Sequence, residues 1–325
     1  MLYLTATLVV VSLFSVGYYF TLGADYGIKA LLMIIASVVA AYLCEAGYFY
    51  LLKEKDIKKA VNNSFPYVTA ILFALILPIG TPYYVVVFGS IFSILIGKLL
   101  FGGFGQNIFN PALIGRVFVM MSYGDKLTAV LPGKAVDGVA SATPTTIMSM
   151  GSWMGDTNLY LGFYKGSIGE TFAVVIIIAG VFLAMKKVLD WRLPVFYIGT
   201  AFVIAFIAGM THGLSPLHFA LVHIGIGGLV FGGIFMLTDP VTSPVDPFGK
   251  ILFAVGAAFF TMLLRFRSNM PEGVLYSILI MNMLTPMIDK YTVKPTNKDE
   301  SRKLIIVIAA ILVCSLLIAL VWKGA

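Results

Sequence analysis

The chain has 325 residues, of which 60% are hydrophobic and only 11% are charged. Soluble domains run closer to half apolar and a quarter charged. This composition therefore excludes a soluble enzyme, a disordered chain and a small disulfide-stapled fold, and it points to an integral membrane protein. The net charge of +7 belongs, in such a chain, to cytoplasmic loops and gives no ground for nucleic acid as a partner.

A spanning helix needs about 20 mostly apolar residues, because the lipid core offers the backbone no hydrogen-bond partners. Ten such runs follow one another, with an eleventh at the end: 1–22, 28–52, 65–80, 83–101, 108–122, 167–186, 194–210, 216–237, 250–266, 271–289 and 304–322. The first is too long for a signal peptide and lacks its basic start. Lys53, Lys55, Lys58 and Lys59 follow the second run, and Lys186, Lys187 and Arg192 follow the sixth. Lys290, Lys294, Lys298, Arg302 and Lys303 follow the tenth. A cytoplasmic N-terminus puts all three clusters inside, while Arg265 and Arg267 then fall outside, against the rule. Cys44 and Cys314 lie within apolar runs, with no CxxC pair or cluster-ligand set.

The same topology leaves one long polar loop outside, 123–166, between two groups of five runs. The halves look related. LILPIGTP (75–82) ends run three and FMLTDPVTSP (235–244) ends run eight, and each is followed by a run, a polar elbow and a Pro-opened helix. Five runs per half is an odd number, so the second half enters from the opposite side. The predicted fold is thus all-α and polytopic, with two inverted repeats of five helices plus an extra C-terminal helix. Its parts are 1–122, the loop 123–166, 167–290 and a tail 291–325. At the elbows, Asn110 can cap and Pro111 suits a first helical position. Pro271 does the same, with Glu272 in a first turn. Gly102, Gly103 and Gly105 permit turns or close backbone approach.

His212, His218 and His223 are the only histidines, and their spacing gives no haem or metal set. Charges at depth are costly and point to function by default. Glu45 reads equally as part of an ion pathway or as a helix-to-helix contact. Lys98 and Arg116 sit near run ends and can snorkel. Asp239 suits the turn of TDPVTSP. Ser167 and Glu170 form a capping box opening run six. In the outer loop, Asp137 to Pro144 (DGVASATP) brings hydroxyls among small residues; on composition alone it is an ordinary Ser/Thr turn.

SATP (141–144), GGFGQNIFNPALIGR (102–116), GSIGET (166–171), TDPVTSP (238–244) and PEGVLYSILIMN (271–282) are spread across 102–282. Together they resemble the NqrB/RnfD family, membrane subunits of ion-translocating oxidoreductases, with RnfD of the Rnf ferredoxin:NAD⁺ complex nearer than NqrB. The resemblance implies FMN esterified through its phosphate to Thr143, within an acceptor motif that begins at Asp137 and includes Ser141 and Ala142. Ala140 stands where the family has Ser or Thr, and Ser141 where Gly is common; both are small. It further implies an extracytoplasmic flavin transferase, the partner subunits RnfA, RnfB, RnfC, RnfE and RnfG, a bacterial inner-membrane location, and coupling to Na⁺ or H⁺. The chain would be a subunit of an oxidoreductase with no complete active site of its own. A second, non-covalent flavin (riboflavin) would sit near Asn110 and Pro111 at the inner elbow. The alternatives are an NqrB-like quinone-reducing subunit and an inverted-repeat solute channel without flavin.

Overall fold

In the computed structural model, apolar runs become helices whose ends are set by glycine, proline and lysine. The structure describes residues 1–127, 166–170, 172–213, 215–226, 228–267, 273–292 and 300–321. They fall into two units, 1–127 with 166–175 and 176–321. Among the described residues the named elements are all helices.

Unit 1 opens with α1 (Leu2–Leu22) and α2 (Ala24–Leu51), joined by Gly23 alone. The lysine-rich stretch after α2, read from sequence as loop, contains a helix, α3 (Ile57–Ser64). Asp56 caps it by accepting from the Lys59 N–H at 3.0 Å, and Val61 and Ser64 face inward while Lys58 and Lys59 face out. The α4 helix (Pro66–Leu75) is shorter than run three. Ten residues rise about 15 Å, half of a lipid core. It stops because Pro78 has no N–H to continue the ladder. The turn 76–82 then leads to α5 (Tyr83–Leu95), and α6 (Pro111–Tyr123) closes the unit.

Within unit 1, α2 packs on α1, α4 and α5, and α5 packs on α6. The α5–α6 approach is close. A Cβ on Gly97 would sit 2.8 Å from Pro111 Cα, and one on Gly115 would sit 2.7 Å from the Gly89 carbonyl. Both neighbours are backbone and cannot give way, so these positions need glycine. The elbow glycines differ. Gly102, Gly103 and Gly105 have φ of +112°, +96° and +83°, and a Cβ at Gly103 or Gly105 would meet nothing within 4 Å. There the backbone turn requires glycine, and close approach does not.

Unit 2 contains most of α7 (Ala173–Met185), then α8 (Arg192–Thr211) and α9 (Pro216–Gly225). The next helix, α10 (Leu229–Met236), is bent from α9 by 66° and includes a wider π-helical turn over Gly232–Met236. Then come α11 (Pro247–Arg267), α12 (Gly273–Thr292) and α13 (Glu300–Val321). Helix α11 packs on α8, α12 and α13, and α8 also packs on α9 and α13.

Among the described residues, five helices are long and apolar enough to cross a membrane, or six if α9 and α10 count as one bent span. The chain is an all-α polytopic membrane protein. Not every apolar run becomes a full-length helix, because prolines and the α9–α10 bend divide or shorten several of them.

Asp190, in the loop between α7 and α8, ties that loop to α11. It accepts from Lys250 Nζ at 2.9 Å, from Arg192 Nη1 at 3.2 Å and from the Arg192 backbone N–H at 3.1 Å. Burial works to raise its pKa. The Lys250 bond, the Arg192 N–H and the charges of both cations outweigh burial and hold it below the usual carboxylate value. A depressed acid contributes its stability above the ordinary value and loses it as pH falls through the lowered one. Lys250→Met is therefore expected to remove this acid-side loss, at a neutral-pH cost of about 1 kcal/mol for a partly buried pair near the surface. Melting curves between pH 3 and pH 7 check it; unchanged acid-side behaviour would count against the assignment.

Candidate functional site

Two of the three buried charges among the described residues of unit 1 meet at one place. Glu45 on α2 is fully buried and Lys98, just past α5, is 2% exposed. Lys98 Nζ donates to Glu45 Oε1 at 2.6 Å and to the Ser64 carbonyl at 2.5 Å. That carbonyl lies at the break between α3 and α4, where Phe65 takes φ 53°. The break frees backbone acceptors, and a buried cation satisfies one of them. The Phe104 ring lies 5.6 Å from Lys98 Nζ and 5.5 Å from the Phe65 ring. Ala41, Ala70, Ile94 and Leu99 form an apolar cluster close by in the same unit. Lys98 does not snorkel, and neither does Arg116, which is also 2% exposed. Lys98 is enclosed by Glu45, the Ser64 carbonyl and the Phe104 ring, all of its own unit.

Eight residues earlier on the same two stretches of chain is a second polar contact. The Ser90 hydroxyl donates to the Ser37 carbonyl at 2.8 Å, and the Ser37 hydroxyl to the Ala70 carbonyl at 2.9 Å. Helices α2 and α5 therefore run in the same direction, with polar contacts about 12 Å apart. The sequence contained the signal, since Ser37 to Glu45 and Ser90 to Lys98 are equally spaced, but the pairing of Glu45 with Lys98 was not read from it.

The elbow 102–110 leads into α6. Asn110 caps the helix, its Oδ1 accepting from the Ala112 N–H at 3.1 Å, and Pro111 takes the first position. The Ile114 N–H goes to the Asn110 carbonyl. Pro111 has no N–H and that of Ala112 is taken by the cap, so two of the four N–H groups that a helix start leaves open have nothing to offer a ligand. Asn107 Nδ2 donates to the Phe109 carbonyl at 3.1 Å.

Unit 2 has its own cation at a helix break. Arg265 Nη1 donates to the His223 carbonyl at 2.5 Å and Nη2 to the Ile226 carbonyl at 2.9 Å, where α9 ends. Arg265 is thus part of α11 and bonded to backbone, not an outer-loop charge. The His223 ring packs at 4.4 Å from Phe219 and 5.0 Å from Phe266. Tyr197, Thr261 and Ser277 join α8, α11 and α12 through hydroxyl contacts of 2.9 and 2.6 Å.

The TDPVTSP segment folds back on its own side chains. Asp239 Oδ1 accepts from the Val241 N–H, and Asp246 Oδ2 caps α11 by accepting from Phe248 and Gly249. The Thr242 carbonyl accepts from Asn282 and Thr285, and Asp289 accepts from the Val245 N–H. Asn282, Thr285 and Asp289 lie on one face of α12 at helical spacing.

Thr143, Asp137, Ser141 and Ala142 lie outside the described residues, as do Pro271 and Glu272. The described residue after the Thr143 segment is Gly166, whose carbonyl accepts from the buried Tyr19 hydroxyl. Glu170 Oε2 accepts from the Ser167 N–H at 3.2 Å, which is one of the two bonds of a capping box, but it closes a short turn (Ile168–Glu170) ahead of α7 and does not open that helix. Among the described residues there is no group of three or more His, Cys, Asp or Glu able to hold a metal.

The model of the NQR2, RnfD, RnfE family matches residues 1–298. The chain belongs to the NQR2, RnfD, RnfE family. It is 38% identical to the D subunit of the proton-translocating ferredoxin:NAD(+) oxidoreductase complex of Clostridium ljungdahlii, over 82% of this chain and 84% of that protein. It is 36% identical to the D subunit of the Na(+)-translocating ferredoxin:NAD(+) oxidoreductase complex of Acetobacterium woodii, over 83% of each. The B subunit of the Na(+)-translocating NADH-quinone reductase of Ectopseudomonas mendocina is 33% identical over 80% of this chain but 67% of its own length. The family match stops before α13, which begins at Glu300.

Proposed function

We propose that this member of the NQR2, RnfD, RnfE family is the RnfD-type membrane subunit of an ion-translocating ferredoxin:NAD⁺ oxidoreductase, with FMN esterified to Thr143. One observation carries the reading. The two relatives from ferredoxin:NAD(+) oxidoreductase complexes align over more than four-fifths of their own lengths, whereas the quinone-reductase relative aligns over two-thirds of its own. That difference ranks the quinone-reducing alternative second. The DGVASATP segment supports the flavin, since in sequence the Thr143 hydroxyl comes among small residues, as an acceptor for a transferase needs.

When bound, FMN supplies one- and two-electron chemistry that no protein side chain offers. The chain supplies attachment, orientation and a barrier to ions. Its lysine clusters support a cytoplasmic N-terminus in the bacterial inner membrane and an extracytoplasmic Thr143. The other Rnf subunits (RnfA, RnfB, RnfC, RnfE, RnfG) would deliver and accept the electrons. The ion moved is H⁺ in one relative's name and Na⁺ in the other's; either costs about 2.3 kcal/mol per charge per 100 mV.

The residues at the α6 start do not fit an anionic second flavin. Pro111 has no N–H, and that of Ala112, the next of the groups a helix start leaves open, is already bonded to the Asn110 side chain. A riboflavin at that elbow would be held by side-chain contacts, and no electron-transfer step is assigned to it. The reading is tested by mass spectrometry of the peptide spanning Thr143, taken from natively expressed complex. The expected result is a threonine carrying FMN, and an unmodified threonine overturns the flavin assignment.

A further inference from the structure

We propose that the corner between α2 and α3 binds an anionic phospholipid, with Lys53, Lys58 and Lys59 on its phosphate and the end of α2 against its acyl chains. Helix α2 has 28 residues, so it rises about 42 Å, more than the roughly 30 Å of a lipid core. It therefore reaches headgroup level, and the lysines, which are costly in lipid, mark the end that does. In its last turn and cap, Tyr50, Leu51 and Leu52 are 71%, 78% and 59% exposed. Then come four exposed lysines within seven residues, Lys53, Lys55, Lys58 and Lys59. Among the described residues none of the four is in an ion pair. Apolar side chains followed at once by unpaired cations complement a lipid with a negative headgroup.

Lysine also stands where the backbone does not favour it. Helix α2 ends in a Schellman turn: the Lys53 N–H donates to the Tyr50 carbonyl and the Glu54 N–H to the Phe49 carbonyl, both at 3.0 Å. The left-handed position of such a turn is usually glycine, and here it is Lys53 with φ +58°. Helix α7 ends in the same way. Lys187 has φ +56°, its N–H donates to the Ala184 carbonyl, and the Val188 N–H donates to the Leu183 carbonyl. Met185, just before it, is also exposed. A helix end favours a cation beside its free carbonyls, but one charge satisfies it. The α2 corner carries four lysines against Glu54 and Asp56, and the Asp56 carboxylate is already bonded to the Lys59 N–H.

The corner is held ready. Asp56 caps the start of α3, and Lys98 holds the Ser64 carbonyl at its end from inside. Lys58, Lys59, Asn62 and Asn63 then share its exposed face at helical spacing, with Val61 and Ser64 buried beneath. The cytoplasmic leaflet, where the lysine topology puts this corner, is the one with negative surface potential. An acidic protein would meet the lysines but leave Tyr50, Leu51 and Leu52 without a partner. The proposal goes beyond the flavin reading and stands whether or not Thr143 carries FMN.

The test titrates photoreactive phosphatidylglycerol and photoreactive phosphatidylcholine against the intact complex in vesicles, with adducts mapped to the peptide spanning 50–65. Wild type is expected to label there in preference with phosphatidylglycerol. Apparent affinity should fall about fivefold for each lysine neutralised, and so about a hundredfold in the triple variant Lys53→Gln with Lys58→Gln and Lys59→Gln. Lys126→Gln, an exposed lysine in the turn after α6, should change nothing. Lys53→Gly keeps the turn without strain. Its α2 end should exchange amides no faster than wild type in phosphatidylcholine, while its affinity for phosphatidylglycerol still falls about fivefold. Equal labelling of wild type by the two lipids overturns the proposal, and so does wild-type affinity in the triple variant. Loss of a companion subunit from the triple variant in phosphatidylcholine would assign the corner to an acidic protein surface and overturn it too. Displacement by inorganic phosphate beyond that by chloride at equal ionic strength would make it a free-anion site, again against the lipid.

Discussion

Thr143→Ala is expected to abolish covalent flavin entirely. A phosphoester needs an oxygen nucleophile, and alanine has none, so no partial labelling should remain at that position. The readout is flavin fluorescence of the denatured band, from a host that supplies the transferase. Ser141, Thr145 and Thr146 are nearby hydroxyls. Residual fluorescence in Thr143→Ala would move the attachment to one of them, and Ser141→Ala in the same background would show whether it is Ser141. A colourless wild-type band would remove the flavin altogether. A solute channel has no use for an outer hydroxyl acceptor, so this result also separates the two classes of function.

Lys98→Met is expected to have the largest effect on stability. It removes the cation that neutralises Glu45 and satisfies the Ser64 carbonyl, leaving a fully buried carboxylate beside apolar neighbours. Breaking one side of such a pair costs about 3–5 kcal/mol, whereas replacing both sides by apolar groups is often neutral. The double variant Glu45→Leu with Lys98→Met should therefore recover most of the loss. Denaturant unfolding of the detergent-solubilised chain measures both, and the cycle gives their coupling. A Lys98→Met chain as stable as wild type would show that the pair contributes nothing to the fold. The same variants tell the two sequence readings of Glu45 apart. If the double variant is stable yet fails to translocate ions in the intact complex, Glu45 does more than join helices.

Class and helix content were legible because a lipid core leaves few options, and 60% apolar residues with long uncharged runs exclude the rest. The Asn110 cap, the Glu170 capping box and the Asp239 turn were legible because each is settled by residues two or three positions away. Helix lengths were less so. Hydropathy does not mark where a ladder breaks, so 65–80 and 216–237 read as single spans although prolines and a bend divide or shorten them. Helix α3 was missed because eight residues with four outward polar side chains do not register as an apolar run. The contacts of Lys98, Arg265 and Tyr19 were not legible, since their partners are 34 to 147 residues away. Sequence showed Lys98 and Arg265 as charges in or beside apolar runs but gave no sign of Tyr19, and only the fold shows what each one satisfies.

The last helix has a consequence for how unit 2 can be approached. Helix α13 lies against α8 and α11, with Val307, Ser315 and Ile318 turned inward and Ile305, Leu312 and Leu316 turned away. It begins just past the residues that the family model matches. The flank of unit 2 that it covers is closed to any neighbouring polypeptide, so a companion protein arriving from that side meets α13 first, through a ridge of isoleucine and leucine.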